Sequence, residues 1–257
     1  MSEVRAEAAA GVMTVTLADV ENRNALGGAL VQGLYDAIAA ANTDPAVRAV
    51  VITNEGNTFC AGANLKERSG AAKGSTSSVG FEELLHAIQH SPTPVLGRIA
   101  GHVVGGGNGL AAALDISIAA DDVKFGFSEV RLGVAPAIIS VVCLPKMRPG
   151  EAMEAFLRGN RFPATRAAEL GLINRAVPRE ALDAAVEEVL ADLRKGGPEA
   201  LGAAKRLVRE VPRMDPKDAF PWTAQLSAEL FRSEEAREGM AAFLGKRRPA
   251  WAADDDA

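Results

Sequence analysis

The order of apolar and polar positions along the chain predicts strands that alternate with helices. Residues 12–18 alternate in the manner of a half-buried strand, and residues 26–41 carry apolar side chains at helical spacing. Residues 47–53 form a short run rich in β-branched side chains, which is typical of a fully buried strand. The N-terminal part therefore predicts a strand, a helix and a second strand, in that order.

The same order recurs in the middle of the chain. Residues 93–100 predict a strand, residues 105–114 a helix, and residues 115–120 and 124–128 two further strands. Strand pairs that alternate with helices favour an α/β architecture. More helix is expected from about Gly150 onwards.

The second half of the chain has a mainly helical pattern, which only the segment GLINRAV interrupts. No long linker rich in Pro, Gly or Ser separates the two parts. We therefore expect a mixed core over residues 1–195 and a helical C-terminal region over residues 196–257. The predicted helices of the second half cover residues 151–157, 164–170, 179–195, 198–210 and 218–244.

A long polar segment interrupts the predicted elements of the first half. Residues 67–80 are small and polar and show no apolar period, so they predict a loop. Loops of this length are often lids over a binding site, and a plain surface insertion is the alternative.

The composition is that of a soluble globular protein. Of the 257 residues, 48% are hydrophobic and 24% are charged, and no apolar run reaches the roughly 18 residues that span a bilayer. No secretory signal is apparent, and Cys60 and Cys143 lack metal-ligand spacing, so we expect a cytoplasmic protein.

A net charge of −5 argues against non-specific nucleic-acid binding, although Lys246, Arg247 and Arg248 form a candidate phosphate-binding patch. The acidic tail AADDDA is expected to be solvated.

Two glycine-rich turns each follow a predicted strand. The first, residues 54–67, contains Ala61, Gly62 and Ala63, whose small side chains leave the main-chain N–H groups open to a ligand. The second, Gly105 to Gly107, begins a helix whose first N–H groups lack intrahelical partners and carry the positive end of the dipole. Two such turns could form an oxyanion hole of main-chain donors. Tight packing of backbones is the alternative explanation for the glycines.

One acid stands out downstream of these turns. Glu129 lies among apolar neighbours just past a predicted strand, and burial would raise its pKa toward the range of a general acid or base. An ion pair with Arg131 is the alternative.

Taken together, these segments resemble the crotonase, or enoyl-CoA hydratase/isomerase, superfamily. FCAGANLKE is similar to its first oxyanion-hole motif, GHVVGGGNG to its second, and FGFSEVRLGVAP to its catalytic-glutamate segment. ENRNAL is similar to a CoA-contacting turn, and the resemblance continues through LRGNRFPATRAAELGLINRAVP and EGMAAFLGKRRPAW nearly to the end of the chain.

The resemblance implies a spiral of repeated ββα units that carries a CoA-thioester site in residues 1–195. It also implies that the C-terminal helices assemble homotrimers, often paired into hexamers. Ala63 and Gly106 would donate their N–H groups to the thioester oxygen, and Glu129 would carry the proton. No metal and no cofactor besides the CoA of the substrate are implied, and no nucleic-acid or membrane partner is expected. The implied substrate-binding residues are Arg23, Ala25, Ala61, Gly62, Leu65, Gly105 and Gly109, with Phe243 and Lys246 reaching the CoA of a neighbouring subunit.

The chain departs from the family pattern at two positions. Gly109 stands where two-carboxylate hydratases have a second glutamate, and Asn64 stands where many members have Asp. We interpret Gly109 as room for a bulky or branched acyl group, with drift as the alternative. The segment SEVRLGVAPAIIS resembles a branch of the family that has Gly at this position and whose members are taken to be hydratases of branched or glutaconyl-type thioesters. The resemblance therefore implies a hydratase, in which we expect Asn108 or Ser140 to help place the water.

Several other functions stay open at this point. With Glu129 alone, an enoyl-CoA isomerase that shuttles a proton between C2 and C4 is the nearest alternative, and a non-catalytic acyl-CoA-binding protein is the next. Residues 107–112 fit a dinucleotide-binding fingerprint, but the acidic turn and extra strand before Glu129 do not fit a dehydrogenase. Cys60 is expected to be a small buried hydrophobe and His102 a packed, hydrogen-bonded histidine.

Overall fold

The computed structural model describes residues 3–70 and 77–252. Its strands and helices alternate through the first two thirds of the chain, and helices dominate the last third. The strands are β1 (Val4–Ala9), β2 (Val12–Leu17), β3 (Ala49–Asn54), β4 (Thr58–Cys60), β5 (Val95–Ile99), β6 (His102–Val104), β7 (Ile116–Ala120), β8 (Lys124–Gly126), β9 (Arg161–Pro163) and β10 (Arg175–Val177). The helices are α1 (Gly28–Thr43), α2 (Leu65–Arg68), α3 (Phe81–His90), α4 (Gly106–Ala113), α5 (Ala137–Cys143), α6 (Pro149–Arg158), α7 (Ala164–Glu169), α8 (Leu182–Lys195), α9 (Pro198–Glu210), α10 (Pro216–Arg232) and α11 (Glu234–Leu244).

Consecutive strands of the repeated units belong to two different sheets. One sheet has the order β1-β2-β3-β5-β7-β10 and the other has the order β4-β6-β8-β9. Within them, β3, β5 and β7 pair in parallel, and so do β4, β6 and β8. Each unit thus gives one strand to each sheet before the chain returns through helical structure, which is the predicted ββα spiral. Because β4, β6 and β8 are parallel, the segments that follow them emerge at one edge of the smaller sheet.

The core lies between the larger sheet and the helices that cover it. Leu30, Leu34 and Ile38 are buried on one face of α1, at the four-residue interval that a helix presents to a sheet. On the sheet, Val15 and Ile52 are fully buried. No helix in the two described stretches combines the length and the apolar character needed to cross a lipid bilayer.

Two of the predicted helices differ from the structure by more than a shift of one or two residues at their ends. The prediction of one helix over residues 218–244 is wrong, because the chain forms α10 and α11 with a break at Ser233. Ser233 has an extended ψ of 160° and its hydroxyl accepts a hydrogen bond from Ala236 N–H, so it caps the second helix. The helix predicted to begin at Arg179 begins at Leu182, after a 3-10 turn.

Several elements were missing from the sequence-based prediction, and three of them, α3, β1 and α5, show why. α3 has a detectable start signal, since the Glu83 carboxylate accepts the Gly80 N–H that precedes the helix. β1 lacks alternation because five of its six residues are exposed, and antiparallel pairing with β2 holds it in place. α5 directly follows Pro136, and its pattern was too short to separate from a loop.

The predicted polar loop is only partly described. Glu67 and Arg68 belong to α2, so the prediction of a structureless segment is wrong there. Residues 71–76, the middle of the segment predicted to form a loop or lid, lie outside the described residues, and the lid stays a prediction. The acidic tail from residue 253 onwards lies outside them as well. The division at residue 195 stays a prediction.

A buried ion pair attaches α9 to the core. The Lys205 ammonium lies 2.7 Å from Asp115 Oδ2 and donates a hydrogen bond to the Ile88 carbonyl oxygen at 2.9 Å. Asp115 also accepts the Val95 N–H at 2.8 Å, so the pair joins α9, α3 and β5. Burial raises the pKa of Asp115 and lowers the pKa of Lys205, each against the opposing effect of its partner. The pair is therefore held in a weakly solvated place where losing one partner is costly.

We expect Lys205→Met to destabilise the protein by about 3 kcal/mol, because it leaves the Asp115 carboxylate buried without its cation. Urea denaturation followed by circular dichroism measures this change. Lys195→Met is the matched control, since Lys195 pairs with Asp192 and both side chains are at least 70% exposed. The control should change the free energy of unfolding by about 1 kcal/mol or less. Equal effects of the two substitutions would contradict the assigned importance of the buried pair.

Candidate active site

A cavity of about 430 Å³ opens at the edge where the segments after β4, β6 and β8 meet. The glycine-rich turns and the Glu129 segment, which are far apart in the sequence, all contribute to its wall. Its lining consists of Leu26, Ala61, Gly62, Ala63, Leu65, Arg68, Phe81, Gly105, Gly106, Ser128, Glu129, Leu132, Val134, Ala135, Pro136, Ala137, Ile138 and Ile139.

In the turn after β4, one main-chain N–H group takes no part in the backbone hydrogen bonds of the turn. Leu26 N–H donates to the Gly62 carbonyl at 2.7 Å, and Asn64 N–H donates to the Leu26 carbonyl at 3.4 Å. Ala63 lies between these two bonded residues, so its N–H faces the opposite side. No acceptor for the Ala63 N–H is present among the described residues.

The turn after β6 starts α4. Gly105 has φ 55° and ψ −128°, a backbone conformation that only glycine adopts readily. Gly105 N–H donates to the Gly126 carbonyl at 2.9 Å, which anchors the turn on the end of β8. The next N–H, that of Gly106, has no acceptor within the described part of the chain. It lies at the positive end of the helix dipole, where a negatively polarised oxygen is stabilised.

The two turns are in direct backbone contact. A Cβ on Gly62 would lie 2.9 Å from both Gly106 N and the Val104 carbonyl oxygen, and a Cβ on Gly106 would lie 2.8 Å from Leu26 Cδ1. Larger residues would therefore separate the turns. The contact gives one cavity two main-chain donors without acceptors, which is the arrangement that an oxyanion hole requires. The donor roles of Ala63 and Gly106 stay predictions.

Glu129 is the acid of the cavity. It begins the 3-10 turn Glu129–Leu132 that follows β8, and its Oε2 atom is buried without a hydrogen-bond partner among the described residues. Its Oε1 atom would lie 3.6 Å from a Cβ on Gly105, so the carboxylate faces the second turn. Desolvation raises the pKa of Glu129. The alternative of an ion pair with Arg131 is wrong, because the Arg131 guanidinium donates to the Arg158 carbonyl instead.

The rest of the cavity is mostly apolar. The segment after Glu129 contributes Leu132, Val134, Pro136, Ile138 and Ile139 to the wall. Among the described lining residues, only Glu129 and Arg68 carry charged side chains. The cavity thus suits a ligand with an apolar chain that lies next to the Glu129 carboxylate and the two N–H donors.

The interpretation of Gly109 as empty space is wrong. A Cβ at this position would overlap Ile139 Cγ2 and would lie 2.7 Å from Ile139 Cβ, so the space is already filled. Gly109 is buried behind Ile139 and does not line the cavity. The predicted contact of Gly109 with substrate therefore has no support from the cavity wall and stays a prediction.

The two residues predicted to place a water also lie outside the cavity wall. Asn108 is fully buried, and its amide donates to the carbonyls of Gly105 and Gly126, both at 2.9 Å. It fastens the second turn to β8 from behind. The Ser140 hydroxyl donates to the Ala137 carbonyl of its own helix at 2.6 Å.

The turn around Arg23 lies next to the first oxyanion turn. Ala61 N–H donates to the Arg23 carbonyl at 3.2 Å, and Arg23 has a left-handed φ of 57°. Arg23 is exposed and Ala25 is buried, and neither lines the cavity. Ala61 and Leu65 do line it, and their predicted contact with substrate stays a prediction.

The C-terminal residues predicted to reach the CoA of a neighbouring subunit do not line this cavity. Phe243 is 83% exposed, and Lys246 is exposed with a left-handed φ of 51°. Arg247 forms an ion pair with Glu238 at 2.6 Å, so it is not a free cation of the predicted phosphate patch. This pair and the Ala250 N–H lower the pKa of Glu238 to about 2.

Three further residues behave as packing or capping groups. Cys60 is fully buried, and desolvation raises the pKa of its thiol to about 12, which fits the predicted inert hydrophobe. The His102 ring accepts the Lys124 N–H, as expected for a hydrogen-bonded histidine. Asn64 caps α2 through the Glu67 N–H and donates to the Glu67 carboxylate at 2.8 Å.

The sequence-based prediction missed several residues of the cavity. Arg68 was assigned to the loop, and Phe81 and Ile139 belong to helices that were not predicted. The signal for Arg68 was available, because Asn64 followed by Glu67 is a helix-capping pattern that places Arg68 on a short helix after the first turn. Ile139 carries no local signal.

Comparison with known proteins agrees with this fold. The family model described as Enoyl-CoA hydratase/isomerase matches residues 7–254. The enoyl-CoA hydratase EchA19 of Mycobacterium tuberculosis is 32% identical over 246 residues, which cover 92% of this chain and 91% of that protein. The 2,3-dehydroadipyl-CoA hydratase of Escherichia coli is 28% identical over 250 residues, which cover 97% and 98% of the two chains.

A solved structure extends the agreement to three dimensions. The enoyl-CoA hydratase of Mycobacterium smegmatis superimposes with a TM-score of 0.87 at 30% identity, over 97% of this chain and 98% of that chain. The chain therefore belongs to the enoyl-CoA hydratase/isomerase family and has the crotonase fold. It is an enzyme of the hydratase/isomerase type whose family acts on CoA thioesters.

We expect Glu129→Gln to stabilise the protein at neutral pH, because it removes a charge from a poorly solvated place. The folded-state pKa of Glu129 is raised, so its ionisation weakens the fold as pH rises from the unfolded-state pKa through the folded-state pKa. The difference in Tm between variant and wild type should therefore be near zero at about pH 4 and grow toward neutral pH. Glu7→Gln, on the exposed strand β1, is the control and should show no such growth.

Proposed function

We propose that this protein is an enoyl-CoA hydratase in which Glu129 is the only carboxylate that takes part in the chemistry. The observation that carries this proposal is the buried, unpartnered Oε2 of Glu129 in a cavity that also holds the free N–H groups of Ala63 and Gly106. An unpartnered carboxylate oxygen is costly to bury, so a site that keeps one is suited to exchanging a proton with a bound molecule.

The proposed reaction adds water across the C2–C3 double bond of the thioester. Glu129 accepts a proton from water while the water oxygen forms a bond to C3. The electrons of the double bond move toward the thioester oxygen, where the N–H groups of Ala63 and Gly106 stabilise the resulting enolate. Glu129 then returns the proton to C2 as the enolate collapses to the thioester. Each such donor typically contributes about 2.7 to 4 kcal/mol to the transition state. No cofactor besides the CoA of the substrate is proposed.

An enoyl-CoA isomerase is the second candidate function. One specific observation favours it: Glu129 is the sole acid among the described lining residues, and a shift of the double bond needs only one proton carrier. Glu129 would remove a proton from one of the carbons C2 and C4 and return it to the other, through a dienolate whose oxygen the same two N–H groups would stabilise. The names of the relatives EchA19 and 2,3-dehydroadipyl-CoA hydratase favour hydration.

We propose a branched or glutaconyl-type enoyl-CoA as the substrate. The apolar wall from Leu132 to Ile139 suits the aliphatic part of the acyl group. Arg68 also lines the cavity, and no hydrogen bond or ion pair among the described residues involves its guanidinium. A guanidinium without a carboxylate partner suits an anionic acyl end. The E. coli relative is named for a hydratase of such a dicarboxylic thioester.

We further propose that the chain assembles as a homotrimer or as a hexamer of paired trimers. Large apolar side chains are exposed on the two C-terminal helices, as expected for surfaces that a neighbouring subunit covers. They are Phe220, Phe231, Met240, Phe243 and Leu244, which are between 44% and 83% exposed. In such an assembly Phe243 and Lys246 would reach the CoA of the adjacent subunit, and the location would be cytoplasmic.

We expect Glu129→Gln to abolish turnover of enoyl-CoA substrates, because the amide cannot accept and return the proton. Binding of a saturated acyl-CoA should remain, since the N–H donors are unchanged, and isothermal titration calorimetry measures it. Full activity of the variant would contradict the mechanism. Binding with no wild-type turnover on any enoyl-CoA would instead identify a non-catalytic acyl-CoA-binding protein.

Mass spectrometry of the wild-type reaction in ¹⁸O-labelled water separates the two candidate functions. A hydratase incorporates one ¹⁸O at C3, whereas an isomerase shifts the double bond without incorporating oxygen. The substrates to compare in this experiment are crotonyl-CoA, a branched 2-enoyl-CoA and a 3-enoyl-CoA.

We expect Arg68→Met to lower kcat/KM for glutaconyl-CoA by about 10- to 100-fold, the value of a hydrogen bond to a charged group. Crotonyl-CoA has the same double bond and CoA but no terminal carboxylate, so its kcat/KM should change little. An equal loss with both substrates would mean that Arg68 contacts the CoA portion, and no loss with either would exclude a role in binding. Arg213→Met, an exposed arginine in the 3-10 turn before α10, is the matched control.

A further inference from the structure

One residue of α5 fills the volume above Gly109. Ile139 is only 2% exposed, and a Cβ added to Gly109 would overlap its Cγ2 atom. The same Cβ would lie 2.7 Å from Ile139 Cβ and 3.5 Å from Ile139 Cα. The first distance is a steric conflict, and the second is an ordinary van der Waals contact. The space would therefore become free only if residue 139 were glycine.

Packing of α5 against α4 keeps Ile139 in this place. Cys143 lies one turn after Ile139 on the same face of α5, and its thiol donates to the Asn108 carbonyl at 3.7 Å. Asn108 is itself held by two hydrogen bonds to Gly105 and Gly126. These bonds connect α5 to the segment that carries Gly105 and Gly106, so a shift of α5 away from Gly109 would disturb that segment.

The filled volume borders the reacting part of the cavity. Gly106 and Gly109 are three residues apart on α4 and share a helix face, and a side chain at position 109 would lean back toward the N-terminus of the helix. That end of α4 carries the free Gly106 N–H. Ile139, which occupies this volume, is itself a lining residue of the cavity.

We propose that Ile139 is the specificity-determining residue that makes this a one-carboxylate site. Its side chain takes the volume that an acidic side chain at position 109 would need, and it presents an apolar wall to the acyl group in the same place. Positions 109 and 139 thus act as one coupled pair: glycine and isoleucine here, with a larger residue at 109 permitted only by glycine at 139. The consequence for catalysis rests on the proposed enoyl-CoA chemistry, whereas the steric coupling does not.

The steric coupling is tested by thermal unfolding of Gly109→Ala in three backgrounds. With Ile139 present, the added methyl group should lower Tm by about 3 to 10 °C, as overpacking of a core does. In the Ile139→Ala background it should still lower Tm, because Cβ of residue 139 remains in conflict. In the Ile139→Gly background it should leave Tm unchanged or raise it, since alanine favours the helix over glycine. An equal loss in all three backgrounds would overturn the proposal.

The catalytic consequence is tested with the pH dependence of kcat/KM for crotonyl-CoA hydration. The wild type should show one ionisation, that of Glu129, on the acid side. The double variant Gly109→Glu with Ile139→Gly should show a second ionisation, because a second carboxylate enters the cavity. Gly109→Glu alone should be unstable or inactive. A folded double variant with the wild-type profile would overturn the assignment of this volume to the catalytic site.

Substrate preference gives a third readout. Ile139→Gly alone should raise the kcat/KM ratio of a branched enoyl-CoA over crotonyl-CoA at least several-fold, because it enlarges the cavity next to the reacting carbons. An unchanged ratio would contradict the role of Ile139 as a wall of the acyl site. If the wild type hydrates no enoyl-CoA, the proposed function fails, and the Tm series still decides whether the two positions are coupled.

Discussion

The site depends on the contact between two backbone turns. Gly62 of the first turn lies against Gly106 and Val104 of the second, so closely that a Cβ at position 62 would be 2.9 Å from two of their backbone atoms. This contact brings the N–H groups of Ala63 and Gly106 to one cavity without acceptors of their own. Parallel pairing of β4, β6 and β8 makes the contact possible, because it aligns the segments that follow these strands. The small residues of both turns are thus a requirement of main-chain proximity.

The same geometry explains why the acid is poorly solvated. Glu129 follows β8, which lies beside β6 in the smaller sheet. The segment after Glu129 contributes apolar residues to the cavity wall. Burial leaves one carboxylate oxygen without a partner and raises the pKa of the side chain. Such a group lowers the stability of the fold, and its raised pKa suits it to carrying a proton. Active sites commonly combine these two properties. The buried Asp115–Lys205 pair differs in this respect, because both its members have partners.

Much of the fold could be predicted from local patterns. The buried strand β3, the helix α4 and the strands β7 and β8 lie where the periodicity placed them, because their patterns are strong and their ends are marked by polar or glycine residues. β1 and α5 could not be predicted in this way. β1 is mostly exposed and exists through pairing with β2, while α5 is short and exists through packing on α4. Their stability comes from tertiary contacts, which local sequence does not encode.

The sequence by itself determined the chemistry that is available: two turns of small residues, one acid among apolar neighbours, and a family resemblance carried by motifs in a fixed order. Only the tertiary structure decided what surrounds these groups. Gly109 predicted empty space because a single sequence shows that position 109 lacks a side chain. It does not show which other side chain fills the volume next to that position. Ile139, thirty residues later, fills that space, and Arg68 lines the cavity through a short helix. Steric occupancy is a property of the packed chain, since it depends on segments that meet only after folding.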